Sequence, residues 1–186
     1  MPGQPLLTAA AGAGQVSLSW TTPSSGSSPI TGYKIYRSTS SGTETLLTTV
    51  GLVNGYANTG LTNGTTYWYQ VSAVSAAGEG ARSVEKSAKP VTVPTAPQFF
   101  TAASDSLKGI NLHWAGPSSN GGSAITGYLV YRSTTSGAES LYKTLGVVTS
   151  YHDTSTTKKV RYYYKLVAVN AQGNSPMTAE ASAIAK

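Results

Sequence analysis

The sequence contains no cysteine, which excludes disulfide bonds, thiolate metal sites and cysteine nucleophiles. Only two histidines and seven acidic residues are spread over the 186 positions. Metal sites and catalytic triads need several such groups converging at close range. We therefore expect a noncatalytic protein with no metal site and no cofactor, whose cores are held by packing alone.

Long apolar runs are also missing, so no segment is of membrane-spanning length. The chain opens Met1-Pro2-Gly3 onto polar sequence, without the apolar stretch of a signal peptide. We expect a soluble fragment excised from a longer protein, without membrane insertion and monomeric. Charged residues make up only 11% of the chain, and abundant Gly, Ser and Thr favour short strands joined by many turns.

An internal repeat divides the chain into two copies. Residues 30–46 align with 125–141 at an offset of 125 − 30 = 95, with 12 identities in 17 positions. Upstream, Val16-x-Leu18-x-Trp20 aligns with Ile110-x-Leu112-x-Trp114 at an offset of 94. The single extra residue in the second copy therefore falls in the loop before Ile125, where an insertion is tolerated.

The copies meet in a proline-rich segment that includes Pro90, Pro94 and Pro97. Proline disfavours helix formation and restricts the backbone to extended conformations, so this segment is predicted to be a short, stiff linker. We place the boundary at Pro94. The first module then covers residues 1–94, with a linker at 90–94, and the second covers 95–186.

Apolar residues alternate with period two within each copy, as in Gln15-Val16-Ser17-Leu18-Ser19-Trp20, and Gly, Pro and Ser clusters interrupt them. This pattern predicts half-buried antiparallel strands. Seven short strands in about ninety residues indicate an all-β sandwich. In the first copy they are expected at residues 6–10, 15–21, 31–38, 45–50, 55–58, 65–75 and 81–88.

Several of these residues resemble the fibronectin type III pattern across nearly all of both copies. They are Trp20 in the second strand, Gly32-Tyr33-x-Ile35-x-Arg37, Leu61 six residues before Tyr67, and Tyr67-x-Tyr69-x-Val71-x-Ala73 followed by Gly78. The resemblance implies two tandem seven-stranded immunoglobulin-like sandwiches. It also implies that Trp20 and Trp114 are core residues. Tyr67 and Tyr162 would form tyrosine corners at the E–F loop, which joins the fifth and sixth strands of each module.

The second copy departs from that pattern in its E–F loop. Thr156 stands where the first copy has Leu61, and Lys158-Lys159 replaces Asn63-Gly64. Asn63-Gly64-Thr65 is formally a glycosylation sequon, but Asn-Gly also suits a tight turn, and we favour the turn. Arg-Gly-Asp, the integrin-binding tripeptide of some relatives, does not occur.

The two histidines do not suggest catalysis. His113 alternates with the inward Leu112 and Trp114 and should point outward, while His152 and Asp153 are adjacent and should face opposite sides of a strand. Ala11-Gly12-Ala13-Gly14 begins like a phosphate-binding loop, but a strand follows it where such a loop needs a helix. A hairpin turn explains these glycines.

Outward-facing aromatics are a candidate binding surface. If Tyr33, Ile35, Tyr67 and Tyr69 face the core, then Tyr36 and Trp68 face out, and Tyr131 and Tyr163 repeat the arrangement. Such residues on neighbouring strands can pair and stabilise the sheet by roughly 0.2 to 1 kcal/mol. Alternatively, each pair forms a flat platform for a sugar ring or a protein.

The net charge of +6 is shared unevenly, as +2 on the first copy and +4 on the second. Lys158, Lys159 and Arg161 cluster near the E–F loop of the second copy. Basic clusters attract phosphates or acidic glycans in a salt-dependent manner. The simpler interpretation is a solvated loop.

The run Val148-Thr149-Ser150-Tyr151-x-Asp153-Thr154 resembles the modules found between catalytic and binding domains in secreted bacterial polysaccharide-degrading enzymes. The first function, which this resemblance implies, is a spacer or scaffold that positions neighbouring domains of a larger extracellular or cell-surface protein. The second is a module that binds polysaccharide or protein through its aromatic faces. We expect no nucleic-acid partner. Edge-to-edge assembly is a further alternative, against which Pro176 guards the last strand of the second copy, whereas the first copy has Ala81 there.

Overall fold

Sixteen β-strands and no helix make up the regular structure of residues 1–106 and 108–186, which are the residues that the computed structural model describes. The chain divides into two compact units, Met1–Val91 and Thr92–Lys186. Each unit pairs a three-stranded sheet with a five-stranded one. No helix in the described residues is long and apolar enough to cross a membrane.

The first unit is a sandwich of two antiparallel sheets. One sheet has the order β1-β2-β5, and the other has β4-β3-β6, with β7 and β8 both paired to β6. The strands are β1 Leu7–Gly12, β2 Gln15–Trp20, β3 Ile30–Ser38, β4 Thr45–Val50, β5 Gly55–Asn58, β6 Tyr67–Ser75, β7 Gly78–Glu79 and β8 Lys86–Ala88.

The second unit repeats this topology as β13-β10-β9 and β12-β11-β14, with β15 and β16 both paired to β14. Its strands are β9 Pro97–Ser104, β10 Ile110–Pro117, β11 Ile125–Ser133, β12 Ser140–Leu145, β13 Ser150–Asp153, β14 Arg161–Asn170, β15 Gly173–Asn174 and β16 Ala181–Ile184. The expected fold class, two tandem all-β sandwiches, is confirmed.

Period-two alternation places the core as the sequence predicts. On β2, Val16, Leu18 and Trp20 are buried, while the residues between them are exposed. Trp20 packs against Tyr33 with ring centroids 5.3 Å apart, and Trp114 packs against Tyr128 at 5.4 Å. Each tryptophan is 5% exposed, so both are core residues.

Both expected tyrosine corners are present. The Tyr67 hydroxyl accepts a hydrogen bond from the Thr62 amide at 3.1 Å, and the Tyr162 hydroxyl accepts one from the Thr157 amide at 2.9 Å. Each bond ties the E–F loop, which joins β5 to β6 or β13 to β14, to the strand that follows it.

The E–F loop of the second unit keeps the backbone of the first in spite of its different sequence. Lys159 donates its amide to the Ala185 carbonyl at 2.8 Å, as Gly64 does to the Pro90 carbonyl. The substitution of Leu61 by Thr156 has a cost, because the Thr156 hydroxyl is buried without a hydrogen-bond partner.

The seventh strand differs from the prediction of one continuous strand over residues 81–88. Only Lys86–Ala88 form a regular strand, because the Ser83 side chain replaces a backbone partner before it. The Val71 amide donates to the Ser83 hydroxyl, and the Ser83 amide donates to the Val71 carbonyl. Thr178 and Leu166 repeat this exchange in the second unit. Pro176 therefore lies in the irregular segment before β16 and not at the start of a regular strand.

Candidate functional site

The four aromatic residues predicted to face outward do not form two stacked pairs. Across β3 and β6, Tyr36 lies opposite Gln70, and Trp68 lies opposite Ser38, so the two rings are diagonal neighbours. Tyr131 and Tyr163 have the same diagonal relation across β11 and β14. Among the described residues, no ring contact joins the members of either pair.

Tyr36 faces away from the core, as predicted, but it is not exposed. The guanidinium of Arg82 lies 3.6 Å from its ring centroid, and only 5% of the residue is accessible. Alternation predicts the side of the sheet on which a side chain lies. It does not predict a long cationic side chain that folds over the ring from the segment between β7 and β8.

Beside this covered tyrosine, Glu79 collects three side-chain donors. It accepts hydrogen bonds from Lys34 Nζ at 2.7 Å, from Ser72 Oγ at 2.6 Å and from the Tyr36 hydroxyl. Burial opposes ionisation, but the donors, Lys34 first among them, outweigh it and lower the pKa of Glu79 to about 2. The carboxylate is saturated with donors, which makes it a structural anchor and not a candidate base.

The second module lacks this cover. Met177 stands where the first module has Arg82, and Asn174 stands where it has Glu79. Tyr131 and Tyr163 stay partly exposed on the outer face of the sheet, as does Trp68 in the first module. Of the four aromatic residues that the sequence predicts to form an exposed surface, these three are therefore the accessible ones.

The basic turn, defined as Lys158, Lys159 and Arg161, is exposed as expected. Lys159 has φ of 66°, in the left-handed region that favours glycine. Arg161 begins β14 and donates from Nη1 to Ser182 Oγ at 3.2 Å.

A buried carboxylate that the sequence analysis missed lies in the second module. Asp153 is fully buried and accepts hydrogen bonds from Arg132 at 2.8 Å, from the Tyr164 hydroxyl at 2.8 Å and from the Tyr142 hydroxyl at 2.9 Å. Burial opposes its ionisation, but these donors outweigh it and hold the pKa of Asp153 below its usual range. The sequence does carry a signal for this buried carboxylate, because the second copy has Asp153 where the first copy has Asn58.

The two histidines lie apart from any such cluster. His113 is exposed on β10, and His152 donates from Nε2 to the Lys108 carbonyl at 2.9 Å while Asp153 points into the core. His152 and Asp153 thus face opposite sides of β13, as alternation predicts. Among the residues that the structure describes, no three His, Asp or Glu side chains are grouped to hold a metal ion.

The sequence matches the fibronectin type III domain over residues 2–89 and again over residues 95–184. The chain belongs to the fibronectin type III family. These two matches cover the same residues as the two sandwiches, the two core tryptophans and the two tyrosine corners.

Relatives of these fibronectin type III modules occur within much longer proteins. The chain is 33% identical over 176 residues to Exoglucanase B of Cellulomonas fimi, covering 89% of the chain and 15% of that protein. It is 32% identical over 130 residues to Chitinase A1 of Niallia circulans, covering 66% of the chain and 17% of that protein. A Kelch domain-containing protein of Saccharolobus solfataricus is 31% identical over 126 residues, which is 68% of the chain and 17% of that protein.

Among solved structures, the FN1–FN3 domains of chicken CNTN1 match the fibronectin type III modules with a TM-score of 0.51. The match covers 97% of this chain and 65% of that one, at 20% sequence identity. At this identity the likeness shows the fold alone.

Proposed function

We propose that the chain is a noncatalytic tandem module that spaces and positions neighbouring domains of a larger extracellular protein. The observation that supports it most is that one pair of modules resembles short portions of both an exoglucanase and a chitinase. A module that accompanies different catalytic activities supplies something other than the chemistry.

The polar chemistry of both modules supports the same proposal. Glu79 and Asp153 are each surrounded by hydrogen-bond donors from their own module. A general acid or base needs an accessible lone pair or proton near a substrate. These carboxylates instead hold the outer sheet and the core together, as a stable spacer requires.

Binding is the second candidate function, and the partial exposure of Trp68, Tyr131 and Tyr163 favours it. A polysaccharide or a protein partner could rest on these rings, since Tyr and Trp offer rigid area with a polar tip. Tyr36 no longer belongs to this surface, because Arg82 covers it.

Replacement of the matching segment of Exoglucanase B tests the spacer. Three versions are compared: one that carries this chain, one that carries a Gly/Ser linker of equal residue number and one with the segment deleted. We expect equal activity on a soluble substrate and higher activity on an insoluble glucan with this chain than with the other two. The isolated chain should not sediment with that glucan, and equal performance of the flexible linker would contradict the proposal.

A further inference from the structure

The basic turn has a lysine in a left-handed backbone conformation where the first module has a glycine. Gly64 adopts φ of 86°, and its counterpart Lys159 adopts 66°. A residue with a Cβ is destabilised there relative to glycine, because the Cβ lies too close to the backbone carbonyl oxygen. Residues that break local conformational preferences are found preferentially at functional positions.

The neighbouring substitution also removes a hydrogen bond. In the first module, Asn63 Oδ1 accepts the Gly14 amide at 2.8 Å and so closes the E–F loop against the β1–β2 turn. Its counterpart Lys158 has no acceptor on its side chain. Both changes therefore weaken the loop and add positive charge to it.

The cations of the basic turn have no carboxylate partner among the described residues. Three acids of the second module are engaged elsewhere. Asp153 pairs with Arg132 at 2.8 Å, Glu139 pairs with Lys165 at 2.9 Å, and Glu180 accepts from Ser136 and Gly137. The charge of the basic turn is therefore available to an external anion.

An aromatic ring continues the charged surface along the sheet. Arg161 and Tyr163 lie two residues apart on β14, on the same face, which separates them by about 7 Å. Tyr163 is partly exposed, and Ser182 and Ser133 lie opposite it on the two flanking strands. The first module has Thr66 and Trp68 at these positions, an aromatic ring without the cation.

We propose that the basic turn and Tyr163 together bind an acidic polysaccharide in the extracellular setting of the proposed function. The Lys and Arg side chains would pair with sulfate or carboxylate groups, and the tyrosine ring would lie against a sugar. Single-stranded nucleic acid is a poorer fit, because such sites stack successive bases on several aromatic residues and this surface offers one.

Binding of the 186-residue chain to dextran sulfate and to polygalacturonate tests the proposal, with neutral dextran as the blank. The turn variant Lys158→Asn/Lys159→Gly/Arg161→Thr installs the residues of the first module, which form the same backbone. We expect binding at about 50 mM salt to weaken roughly tenfold or more, and the slope of log K against log salt to become shallower by about 2.

The matched control Lys86→Ala/Lys89→Ala/Lys143→Thr removes the same net charge from exposed positions elsewhere. It should change affinity by less than about threefold, because long-range charge contributes less than direct contact. Tyr163→Thr should weaken binding to both glycans and leave the salt slope unchanged, since it removes a ring and no charge. The melting temperature of the turn variant should not fall, because Lys159→Gly relieves a left-handed residue.

Three results would overturn the proposal. They are no binding of either glycan at low salt, equal losses in the turn variant and the matched control, and tighter binding of a thymidine oligonucleotide than of both glycans. None of them bears on the spacer function, which needs no ligand and is tested by domain replacement.

Discussion

At the scale of single residues, one substitution changes the electrostatics of the core. Asn58 in the first module accepts hydrogen bonds from Tyr69 and Arg37 through Oδ1. Asp153 has the same place in the second module, with Tyr164 and Arg132 as the corresponding donors, and Tyr142 is added where the first module has Leu47. An ionised group has thus been buried together with an extra donor for it.

Stability of the second module should consequently depend on pH through Asp153. Its pKa in the folded state is depressed, so its stabilising contribution is present above the pKa of the unfolded chain and is lost as pH falls through the folded value. We expect Asp153→Asn to cost about 2 to 3 kcal/mol at pH 7 and much less in strong acid. Calorimetry of the whole chain at pH 7 and in acid measures both differences.

Tyr142→Phe provides the matched variant, because it removes one donor and keeps the carboxylate. With fewer hydrogen bonds to the charged form, the folded pKa of Asp153 should rise and the acid-induced loss should begin at a higher pH. If Asp153→Asn costs the same at both pH values, Asp153 is not a depressed, ionised group.

At the scale of strands, the sequence predicts what depends on alternation and misses what depends on contacts between particular side chains and distant groups. Six of the seven strands predicted for the first module are present, as the period-two patterns and turn residues indicate. The shortening of the seventh to Lys86–Ala88 does not follow from these patterns, because it depends on the Ser83 hydroxyl replacing a backbone partner. Alternation likewise predicts that Tyr36 lies on the outer face of the sheet, but it does not predict that Arg82 covers the ring.

An irregularity in β9 gives a test at this scale. Phe99 has φ of 52°, is 81% exposed, and lies where the pairing of β9 with β10 shifts register. We expect Phe99→Gly to be about 1 kcal/mol more stable than Phe99→Ala, because only glycine adopts positive φ without a steric penalty. Urea unfolding of the two variants measures the difference.

The corresponding residue in the first module is the control. Thr8 pairs with Ser19 as Thr101 pairs with His113, which makes Leu6 the counterpart of Phe99. Leu6 has an ordinary negative φ, so Leu6→Gly should be less stable than Leu6→Ala. The same order of stability at both sites would mean that the strain at Phe99 is absent in solution.

At the scale of the whole chain, the two cores are separate, and the proline-rich segment is divided between them. One core comprises residues of Met1–Val91 and the other residues of Thr92–Lys186. Proline content alone suggests a linker that ends at Pro94. The boundary at Pro94 stays a prediction, because composition indicates where a chain is extended but not which module its backbone bonds to.

Thr92 accounts for this division. Its amide donates to the Gly121 carbonyl at 2.8 Å, and its carbonyl accepts from Asn170 Nδ2 at 2.8 Å. Asn170 is 3% exposed, so loss of Thr92 leaves part of a buried amide without its acceptor. We expect a fragment of residues 95–186 to be about 1 to 2 kcal/mol less stable than one of residues 92–186.

The reciprocal pair of fragments decides to which module the segment belongs. If residues 92–94 belong to the second module, fragments 1–91 and 1–94 should have the same free energy of unfolding in urea, because the added residues bond to nothing in the first module. A 95–186 fragment as stable as 92–186, together with a 1–94 fragment more stable than 1–91, would instead support the boundary at Pro94. Since each comparison changes only three residues at a chain end, the difference in stability reports the contacts of those residues and not the size of the fragment.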